Sequence, residues 1–476
     1  MHPDRFFDVD PSIRGMARAI FERTSALPIV SPHGHVDPRL LADDVPFPEP
    51  TALFILPDHY VLRMLYSQGV PLERLGIEPF AASDTGAEAR SSRVEVERNP
   101  RRIWQLFGEH YFLFRGTPTA AWLDYQVEEI FGIARTLDAG SALRIYDEIA
   151  EKLATPEFRP RALFDKFRIE VLATTDAAGD PLDHHARIRD SGWTGRVLPT
   201  FRPDAVFQVA SPSWEQEIAR LELVAGRRLG SVTSFIDALA ERRAHFRRLG
   251  ATATDHGVET PFTGWLAADE AEAIFQRARK GTATPDDQRL FQGHMLMVMA
   301  AQSIQDGLVM QLHAGSLRNH NRILFERFGA DRGADIPIAA EYTRNLRPLL
   351  NEFGNDARLR LLLFTLDEST YSRELAPLAG HYPAVRLGPA WWFHDSIEGM
   401  TRYRERVTET AGIYNTAGFN DDTRAFCSIP ARHDLSRRVD ANWLARLVTR
   451  HIVSLDSAYE MARALAYDLA KDAYRL

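Results

Sequence analysis

Eight short apolar segments, separated by helical patterns, constrain the fold of this chain more than any other feature. Each is the length of a strand and leads into polar residues, and together they are 27–30, 169–174, 196–200, 251–254, 307–312, 359–366, 384–387 and 412–417. Strands that alternate with helices form parallel sheets, because each helix returns the chain to the same edge. The sequence therefore predicts an α/β fold, a distorted (β/α)8 barrel of the TIM type, with its polar strand ends on one face.

Long helical patterns interrupt this series, chiefly between the first two strands. Residues 38–168 contain no convincing strand, and amphipathic patterns recur at 59–69, 101–114, 119–132 and 142–153. We expect an arm and a helix at 1–26, then a barrel at 27–476 interrupted by a helical insertion or subdomain at 38–168. Further helical insertions are expected at 211–250 and 261–305, and the last segment, 442–475, is also predicted to be helical.

Composition excludes several classes of protein. The 476 residues carry a net charge of -8 that is spread along the chain, which argues against a nucleic-acid partner. A single cysteine, Cys427, excludes an intramolecular disulfide and fits a reducing compartment. The chain has no uncharged apolar run of about 18 residues and no signal-peptide pattern at its start. We expect a soluble cytoplasmic protein that binds neither nucleic acid nor membranes and that forms a homo-oligomer.

Two histidines follow the first strand, in the stretch LPIVSPHGHVD at 27–37. Residues two apart on an extended backbone face the same side, so His33 and His35 leave the strand end together. They predict half of a metal site or a polar catalytic cluster at the mouth of the barrel. The alternative is that both histidines lie in a solvated loop.

Polar and aromatic residues also follow the other strands, and the set is Asp176, Arg202, Asp255, His256, His313, Trp391, Trp392, Asp422 and Arg424. Taken singly, each has a structural explanation: a surface ion pair, a helix cap, a buried histidine or packing of the barrel. As a group they occupy the face on which barrel enzymes work, so together they indicate an enzyme.

Several motifs resemble a known family. HGHVD after the first strand and an aspartate after the eighth resemble the amidohydrolase superfamily. SPHGHVDPR, DHYVLRML, TTDAAGDPLDHH, LPTFRPD, TDHG, MQLHAGSLRNHN, PAWWFHDSIEGM and NDDTRAF, in this order, resemble the uronate (glucuronate) isomerase family. The resemblance runs from about residue 5 to the carboxyl terminus. It implies isomerisation of D-glucuronate to D-fructuronate and of D-galacturonate to D-tagaturonate.

The resemblance also implies roles for individual residues. The metal ligands fall on His33, His35 and Asp422, and one divalent ion, Zn²⁺ or alternatively Mn²⁺, is implied. Because no lysine follows a predicted strand, at most one metal is expected, and the sequence leaves open whether turnover requires it. The substrate-site residues fall on His59, Tyr60, Arg202, Asp255, His313, Trp391 and Arg424, with Trp392 as the alternative to Trp391.

The chemistry of the reaction fits these residue types. Arg202 or Arg424 can anchor the uronate carboxylate in bidentate geometry. Asp422 with the two histidines, His33 and His35, can supply the acid and base for ring opening. The proton at C2 moves to C1 through an enediolate, and Tyr60, His35 or Asp422 are the candidates for that transfer.

Alternatives remain at this point. DHYVLRML is also an ordinary amphipathic helix start, with Asp58 as its cap and Tyr60 in packing. A mononuclear metal-dependent hydrolase that acts on an ester, lactone or amide is a second hypothesis. A sugar-acid binding protein without catalytic activity is the third.

Overall fold

The computed structural model describes residues 1–80 and 94–476. The strands are β1 (Ile29–Ser31), β2 (Ile169–Ala173), β3 (Asp176–Ala177), β4 (Arg196–Leu198), β5 (Phe201–Arg202), β6 (Ala253–Val258), β7 (Val309–Ala314), β8 (Ser316–Leu317), β9 (Ile336–Pro337), β10 (Leu361–Thr365) and β11 (Val385–Leu387). The α-helices are α1 (Pro11–Thr24), α2 (Pro38–Asp43), α3 (Pro50–Phe54), α4 (His59–Ser67), α5 (Pro100–His110), α6 (Pro118–Tyr125), α7 (Ala142–Leu153), α8 (Pro160–Lys166), α9 (Asp183–Asp190), α10 (Asp204–Phe207), α11 (Trp214–Ala225), α12 (Val232–Arg248), α13 (Ala268–Arg279), α14 (Pro285–Asp306), α15 (Arg322–Phe328), α16 (Arg347–Phe353), α17 (Ala376–Ala379), α18 (Ile397–Ala411), α19 (Ser428–Thr449), α20 (Leu455–Arg463) and α21 (Leu469–Tyr474).

Shorter helical pieces complete the described chain. Turns of 3₁₀ helix lie at Leu72–Leu75, Tyr111–Phe114, Pro156–Phe158, Trp392–His394 and Ile413–Asn415. π-Helical segments lie at Gln126–Ile130, Tyr371–Leu375 and Ala464–Asp468.

The principal strands form one parallel series in chain order. The pairing of β2 with β4 continues into that of β3 with β5, because the N–H groups of Thr174 and Asp176 donate to the carbonyls of Leu198 and Thr200. Each of these composite strands thus counts once. The order is then β1, β2 with β3, β4 with β5, β6, β7, β10 and β11, and every neighbouring pair is parallel.

A single residue takes the eighth position of this series. Thr416 forms a parallel bridge with Leu387 of β11. Beyond it, the carbonyl of Thr423 accepts a hydrogen bond of 3.0 Å from the N–H of His35, which follows β1. The first position and the chain after the eighth therefore meet, and the predicted distorted (β/α)8 fold is confirmed.

Burial explains why these strands are apolar throughout. Every residue of β7 and β10 is buried, as expected for parallel strands that helices cover on the outside and other strands cover on the inside. Leu312 and Leu361 share one hydrophobic core with Phe235 of α12 and Met299 of α14. This core holds the strand ends, and so the site, in fixed positions.

The segment between β1 and β2 is helical, with α2 to α8 and no strand at 38–80 or 94–168. Phe54, Trp104 and Phe107 pack into one core with Ile29 of β1 and Ile169 of β2. The insertion is thus anchored on the first two strands. The domain boundaries at residues 26 and 168 stay predictions.

Two predicted elements differ in extent. The strand predicted at 412–417 is reduced to Thr416, because Gly412 ends α18 with a φ of 69° and the chain then turns through Ile413–Asn415. The sequence AAEYTRNLRPLLNEFG at 339–354 also has the pattern of an amphipathic helix, but only α16 forms there. The Glu374 carboxylate accepts the N–H groups of Tyr342 and Thr343 and holds them outside a helix.

Two further boundaries were misplaced. Asp255, His256 and His313 lie within β6 and β7 rather than after them, since the pairing of the two strands runs unbroken to Val258 and Ala314. The final helical region begins at Ser428, not at 442, and consists of α19, α20 and α21. Residues 428–445 of α19 are buried on nearly every face, so no amphipathic period marks its start.

Within the described ranges, no helix has the length and apolar character that crossing a membrane requires.

Candidate active site

A pocket opens at the carboxyl ends of the barrel strands. Six of the predicted site residues line it, and the full lining is His35, His59, Tyr60, Arg318, Asp331, Gly333, Asp335, Trp391, Trp392, Asp422 and Arg424. These residues come from the end of β1, the start of α4, the segment around the antiparallel hairpin of β8 and β9, and the segments after β11 and Thr416. The remaining predicted residues, His33, Arg202, Asp255 and His313, contact this lining from beneath or pair with each other.

Asp422 lies between the two histidines that follow β1. Its Oδ1 is 3.5 Å from His33 Nε2 and 3.1 Å from His35 Nε2. Burial disfavours its charge, but the imidazoles of His33 and His35 outweigh this effect and hold the pKa of Asp422 far below its ordinary value. The three side chains that the resemblance implies as metal ligands therefore lie together, and their binding of a metal stays a prediction.

The backbone of Asp422 is strained and is held by its neighbour. Its φ of 39° is left-handed, which an aspartate adopts only under constraint. The carbonyl of Asp421 accepts a hydrogen bond of 3.3 Å from Arg432, and the Asp421 carboxylate lies 3.1 Å from His433 Nε2. Two consecutive residues of α19 thus fix the loop that presents Asp422.

His313, Asp255 and Arg202 form a chain of charges and hydrogen bonds, in which Asp255 and His313 are buried and the Arg202 side chain is 27% exposed. His313 Nδ1 lies 2.7 Å from one Asp255 oxygen, and Arg202 Nη1 lies 3.4 Å from the other. Arg202 Nε also donates to Asp204 at 2.7 Å. Although burial opposes ionisation, Arg202 and His313 hold the pKa of Asp255 well below its usual range. Asp255 is therefore a fixed negative charge.

His313 is neutral at neutral pH. Burial lowers its pKa to about 4, against the opposing effect of Asp255. Because a carboxylate only accepts, Nδ1 carries the proton and Nε2 is an acceptor. This Nε2 is buried without a hydrogen-bond partner among the described residues, and the His313 ring stacks on His33 with centroids 4.7 Å apart.

These side chains fit a divalent metal ion. His33, His313 and Asp422 each offer a ligand atom, and the three atoms lie within 4.8 Å of one another. Neutral imidazoles and an ionised carboxylate are ligands for Zn²⁺ and similar ions, and the unpaired His313 Nε2 needs such a partner. The predicted set of His33, His35 and Asp422 thus overlaps a second set that contains His313.

His59 and Tyr60 form one wall of the pocket because α4 begins there. The Asp58 side chain accepts the Tyr60 N–H at 2.8 Å and so caps the helix at this point. Burial, reinforced by Arg424, lowers the pKa of His59 to about 3, so this imidazole is neutral. Its buried Nε2 also lacks a hydrogen-bond partner in the described chain.

The Tyr60 hydroxyl points to a second carboxylate. It lies 3.2 Å from Asp395 Oδ2 and 3.1 Å from the carbonyl of Trp392. Arg432 of α19 donates to the same Asp395 oxygen at 2.6 Å. Burial, with Asp395 as the next cause, raises the pKa of Tyr60 well above its ordinary value, so the phenol keeps its proton.

The two arginines predicted for the substrate carboxylate differ in position. Arg424 lines the pocket and pairs with Asp331 at 2.9 Å, whereas Arg202 is engaged by Asp204 and Asp255. Arg318 is a third guanidinium in the lining, paired with Asp335 at 2.8 Å. Arg424 and Arg318 are thus the cations that face the pocket directly.

Both tryptophans line the pocket, in different ways. Trp391 is buried and packs edge-on against His313 at a centroid distance of 4.7 Å. Trp392 is half-buried and contacts His59 at 5.4 Å. The adjacent pair therefore connects the histidines of the barrel with those of the wall.

The sequence prediction missed part of the lining and its support, namely Arg318, Asp331, Asp335, Asp395 and Arg432. Arg318 and Asp395 stand within the quoted motifs LRNHN and WWFHDS, a signal that could have found them. Asp331 and Arg432 follow no predicted strand, so nothing in the local pattern distinguishes them from surface charges.

Known proteins resemble this chain over its whole length. A model of the glucuronate isomerase family matches residues 12–474. The chain belongs to this family. A uronate isomerase from Nostoc punctiforme is 56% identical over 477 residues, which cover 100% of this chain and 98% of that protein.

Solved structures of glucuronate isomerase family members have the same fold. The glucuronate isomerase of Caulobacter crescentus gives a TM-score of 0.95 at 50% identity, covering 100% of this chain and 97% of that one. The uronate isomerase of Thermotoga maritima gives 0.90 at 26% identity, with 100% and 99% covered. The (β/α)8 architecture of this chain is that of its family.

Proposed function

We propose that this chain catalyses the aldose–ketose isomerisation of uronates, D-glucuronate to D-fructuronate and D-galacturonate to D-tagaturonate. The carrying observation is one pocket that is lined both by the guanidinium of Arg424 and by Asp422 with the imidazole of His35. An anionic sugar needs the first and proton transfer next to its carbonyl needs the second. Membership of the glucuronate isomerase family supports the same reaction.

We assign the uronate carboxylate to Arg424. Its side chain is one-third exposed, so a ligand can reach it. The substrate carboxylate carries the same charge as Asp331 and can replace it as the partner of Arg424. Arg202 stays a predicted substrate-binding residue. Its guanidinium is held by Asp204 and Asp255. Trp391 and Trp392 are assigned to packing against the sugar.

Proton transfer is assigned to the groups around Asp422. His35 is neutral, since burial lowers its pKa against the effect of Asp422, so it can accept a proton. Tyr60 is a neutral phenol, since burial raises its pKa, and its oxygen can accept a hydrogen bond from a substrate hydroxyl. Tyr60, His35 and Asp422 are the candidate residues for moving the proton from C2 to C1.

One divalent ion, Zn²⁺ or Mn²⁺, would be held by Asp422 and His33 together with His35 or His313. Bound there, such an ion supplies positive charge for an oxyanion on the substrate. The chain's own part is to hold these ligands: Asp255 fixes the tautomer of His313, and Arg432 with His433 fixes the loop of Asp422.

The test is to incubate the purified protein separately with D-glucuronate and D-galacturonate, with added Zn²⁺ or Mn²⁺, and to measure ketose formation. We expect ketose from both sugars and none from an Asp422→Asn variant that is folded. No turnover of either uronate, together with hydrolysis of a lactone panel, would replace the proposal with a hydrolase. Tight uronate binding without turnover would replace it with a binding protein.

A further inference from the structure

Behind the pocket wall lies a buried relay of three side chains from distant parts of the sequence. Tyr60 begins α4, Asp395 follows the Trp392–His394 turn, and Arg432 lies on α19. The Tyr60 oxygen is 3.2 Å from Asp395 Oδ2, and Arg432 Nη1 is 2.6 Å from the same atom. Tyr60 faces the pocket, whereas Asp395 and Arg432 do not line it.

Arg432 fixes the position of Asp395. It is 3% exposed, its guanidinium lies 3.6 Å over the Trp122 ring, and it also donates to the carbonyl of Asp421. A guanidinium held in this way stabilises an ionised carboxylate at one place. Arg432 therefore ties the Asp395 carboxylate to the loop that presents Asp422.

The other oxygen of Asp395 is unused. Oδ1 is buried and has no hydrogen-bond partner among the described residues. When one oxygen of a buried carboxylate has no hydrogen-bond donor, the negative charge is poorly stabilised. Protonation of the carboxylate is therefore favoured. The hydroxyl that reaches this carboxylate from the pocket side is that of Tyr60.

Tyr60 can carry a proton in one direction through this arrangement. Its O–H is directed at Asp395 and at the carbonyl of Trp392, so its oxygen lone pairs are available to another donor. A sugar hydroxyl in the pocket is such a donor. The geometry therefore connects a substrate hydroxyl to a carboxylate that the substrate does not touch.

We propose that Asp395 is a positioning residue that takes the Tyr60 proton when Tyr60 takes a proton from the substrate; this rests on the proposed isomerase function. In ring opening, the proton of the anomeric hydroxyl moves to the Tyr60 oxygen, and the proton of Tyr60 moves to Asp395. The electron pair left on the substrate oxygen forms the C1 carbonyl as the bond from C1 to the ring oxygen breaks. The ring oxygen keeps that bond's electron pair and takes a proton from water, and the hydroxide left is neutralised when Asp395 returns its proton through Tyr60 to the solvent.

The surroundings suit Asp395 for proton exchange near neutral pH. Burial raises its pKa to about 6, although Arg432 and Tyr60 oppose the shift. A group with a pKa close to the working pH is an efficient proton acceptor. The charged or titratable groups that face it are Tyr60 and Arg63 of α4, Arg432 of α19, and Asp422.

The test is kinetic, with D-glucuronate as substrate and the metal-loaded full chain. Asp395→Asn is expected to lower kcat about 10- to 100-fold, while KM and bound zinc change less than about twofold. The matched control is Asp440→Asn, since Asp440 is also buried and also pairs with a buried arginine, Arg404, at 2.7 Å. The control is expected to change kcat less than about twofold if it folds.

Three further readouts separate a proton role from a structural one. The kcat of the unmodified protein should fall as the pH drops through about 6, the pKa of Asp395, and this limb should be absent in Asp395→Asn. Combined with Tyr60→Phe, Asp395→Asn should add little further loss, because the two residues act in one step. Asp395→Glu, which keeps the carboxylate, should recover part of the activity.

The outcomes are distinct. If the unmodified protein turns over no uronate, the proposed function itself is wrong. If the unmodified protein turns over uronate but Asp395→Asn keeps its full kcat, the inference alone is overturned. The same holds if the losses of kcat in Asp395→Asn and Tyr60→Phe are fully additive in the double variant. If Asp395→Asn does not fold, an acid limb missing from the unmodified protein overturns the inference without any variant.

Discussion

Two neighbouring groups of side chains use the same chemistry in different ways. The barrel cluster (His33, Arg202, Asp255 and His313) lies on or next to β1, β5, β6 and β7, and the wall cluster (His59, Tyr60, Asp395 and Arg432) comes from α4, α19 and the segment after β11. Asp255 has a partner on each oxygen and stays ionised. Asp395 has partners on one oxygen only, and its pKa rises to about 6.

This difference teaches that the partners of a buried carboxylate decide whether burial raises its pKa. Both aspartates are buried, and both contact an arginine. The barrel cluster supplies fixed charges that orient metal ligands, whereas the wall cluster supplies a proton that can move. The experiments below test this difference between the two clusters.

Asp422 stands between the two clusters, and its replacement should have the largest effect. Asp422→Asn removes the charge that both imidazoles face, so we expect bound zinc to be lost and kcat/KM to fall about 1000-fold. Metal content and uronate turnover check this. Unchanged metal content in both Asp422→Asn and His33→Ala would refute the ligand assignment.

Breaking the barrel cluster should cost stability. Asp255→Asn removes the charged partner of His313 and one of the two carboxylates that pair with Arg202, so the free energy of unfolding should fall by about 3 kcal/mol. Urea denaturation measures it. The control is Asp147→Asn in the exposed pair with Arg101, expected to change stability by less than about 0.5 kcal/mol. Equal losses in the two variants would contradict the contrast.

A change in the wall cluster should instead lower kcat. Tyr60→Phe removes the hydroxyl that joins the pocket to Asp395, so kcat should fall about 100-fold with KM nearly unchanged. Tyr111→Phe is the matched control, because Tyr111 donates to Asp124 at 2.7 Å outside the pocket. Steady-state kinetics measure kcat and KM for both variants. A rise in KM without a fall in kcat would assign Tyr60 to substrate binding.

The carboxylate anchor should show in KM. Arg424→Lys keeps the charge but loses the planar fork, so KM for D-glucuronate should rise about tenfold while kcat changes less. Arg202→Lys serves for comparison, since Arg202 is engaged by Asp204 and Asp255 below the pocket. A larger KM effect at Arg202 would transfer the anchor to it.

Acid should destabilise the protein slightly through His59. Its pKa is about 3 when folded and about 6.5 when unfolded, so the unfolded state binds more protons between these values and stability falls as the pH drops from 6.5. His59→Gln should therefore lose less stability than the unmodified protein between pH 7 and 5, by on the order of 1 kcal/mol. The exposed His381→Gln is the control. Thermal unfolding at the two pH values measures the difference, and identical pH slopes would contradict a neutral buried His59.

Local patterns were enough to predict the barrel and to place His33 and His35 after its first strand. β7 and β10 are continuous apolar runs, and the two histidines follow β1, which ends at Ser31. The wall cluster depends on contacts over hundreds of residues: Tyr60 meets Asp395, which lies 335 positions later. α19 carries Arg432 but is buried all round, so periodicity gave no signal. The homo-oligomer and the cytoplasmic location stay predictions.

The most direct test of the account is NMR spectroscopy of D-glucuronate in D₂O with the zinc-loaded protein. We expect the signals of D-fructuronate to appear, at a rate that falls about 1000-fold in Asp422→Asn and about 100-fold in Tyr60→Phe. A spectrum of D-glucuronate that stays unchanged with the unmodified protein, and likewise for D-galacturonate, would contradict it.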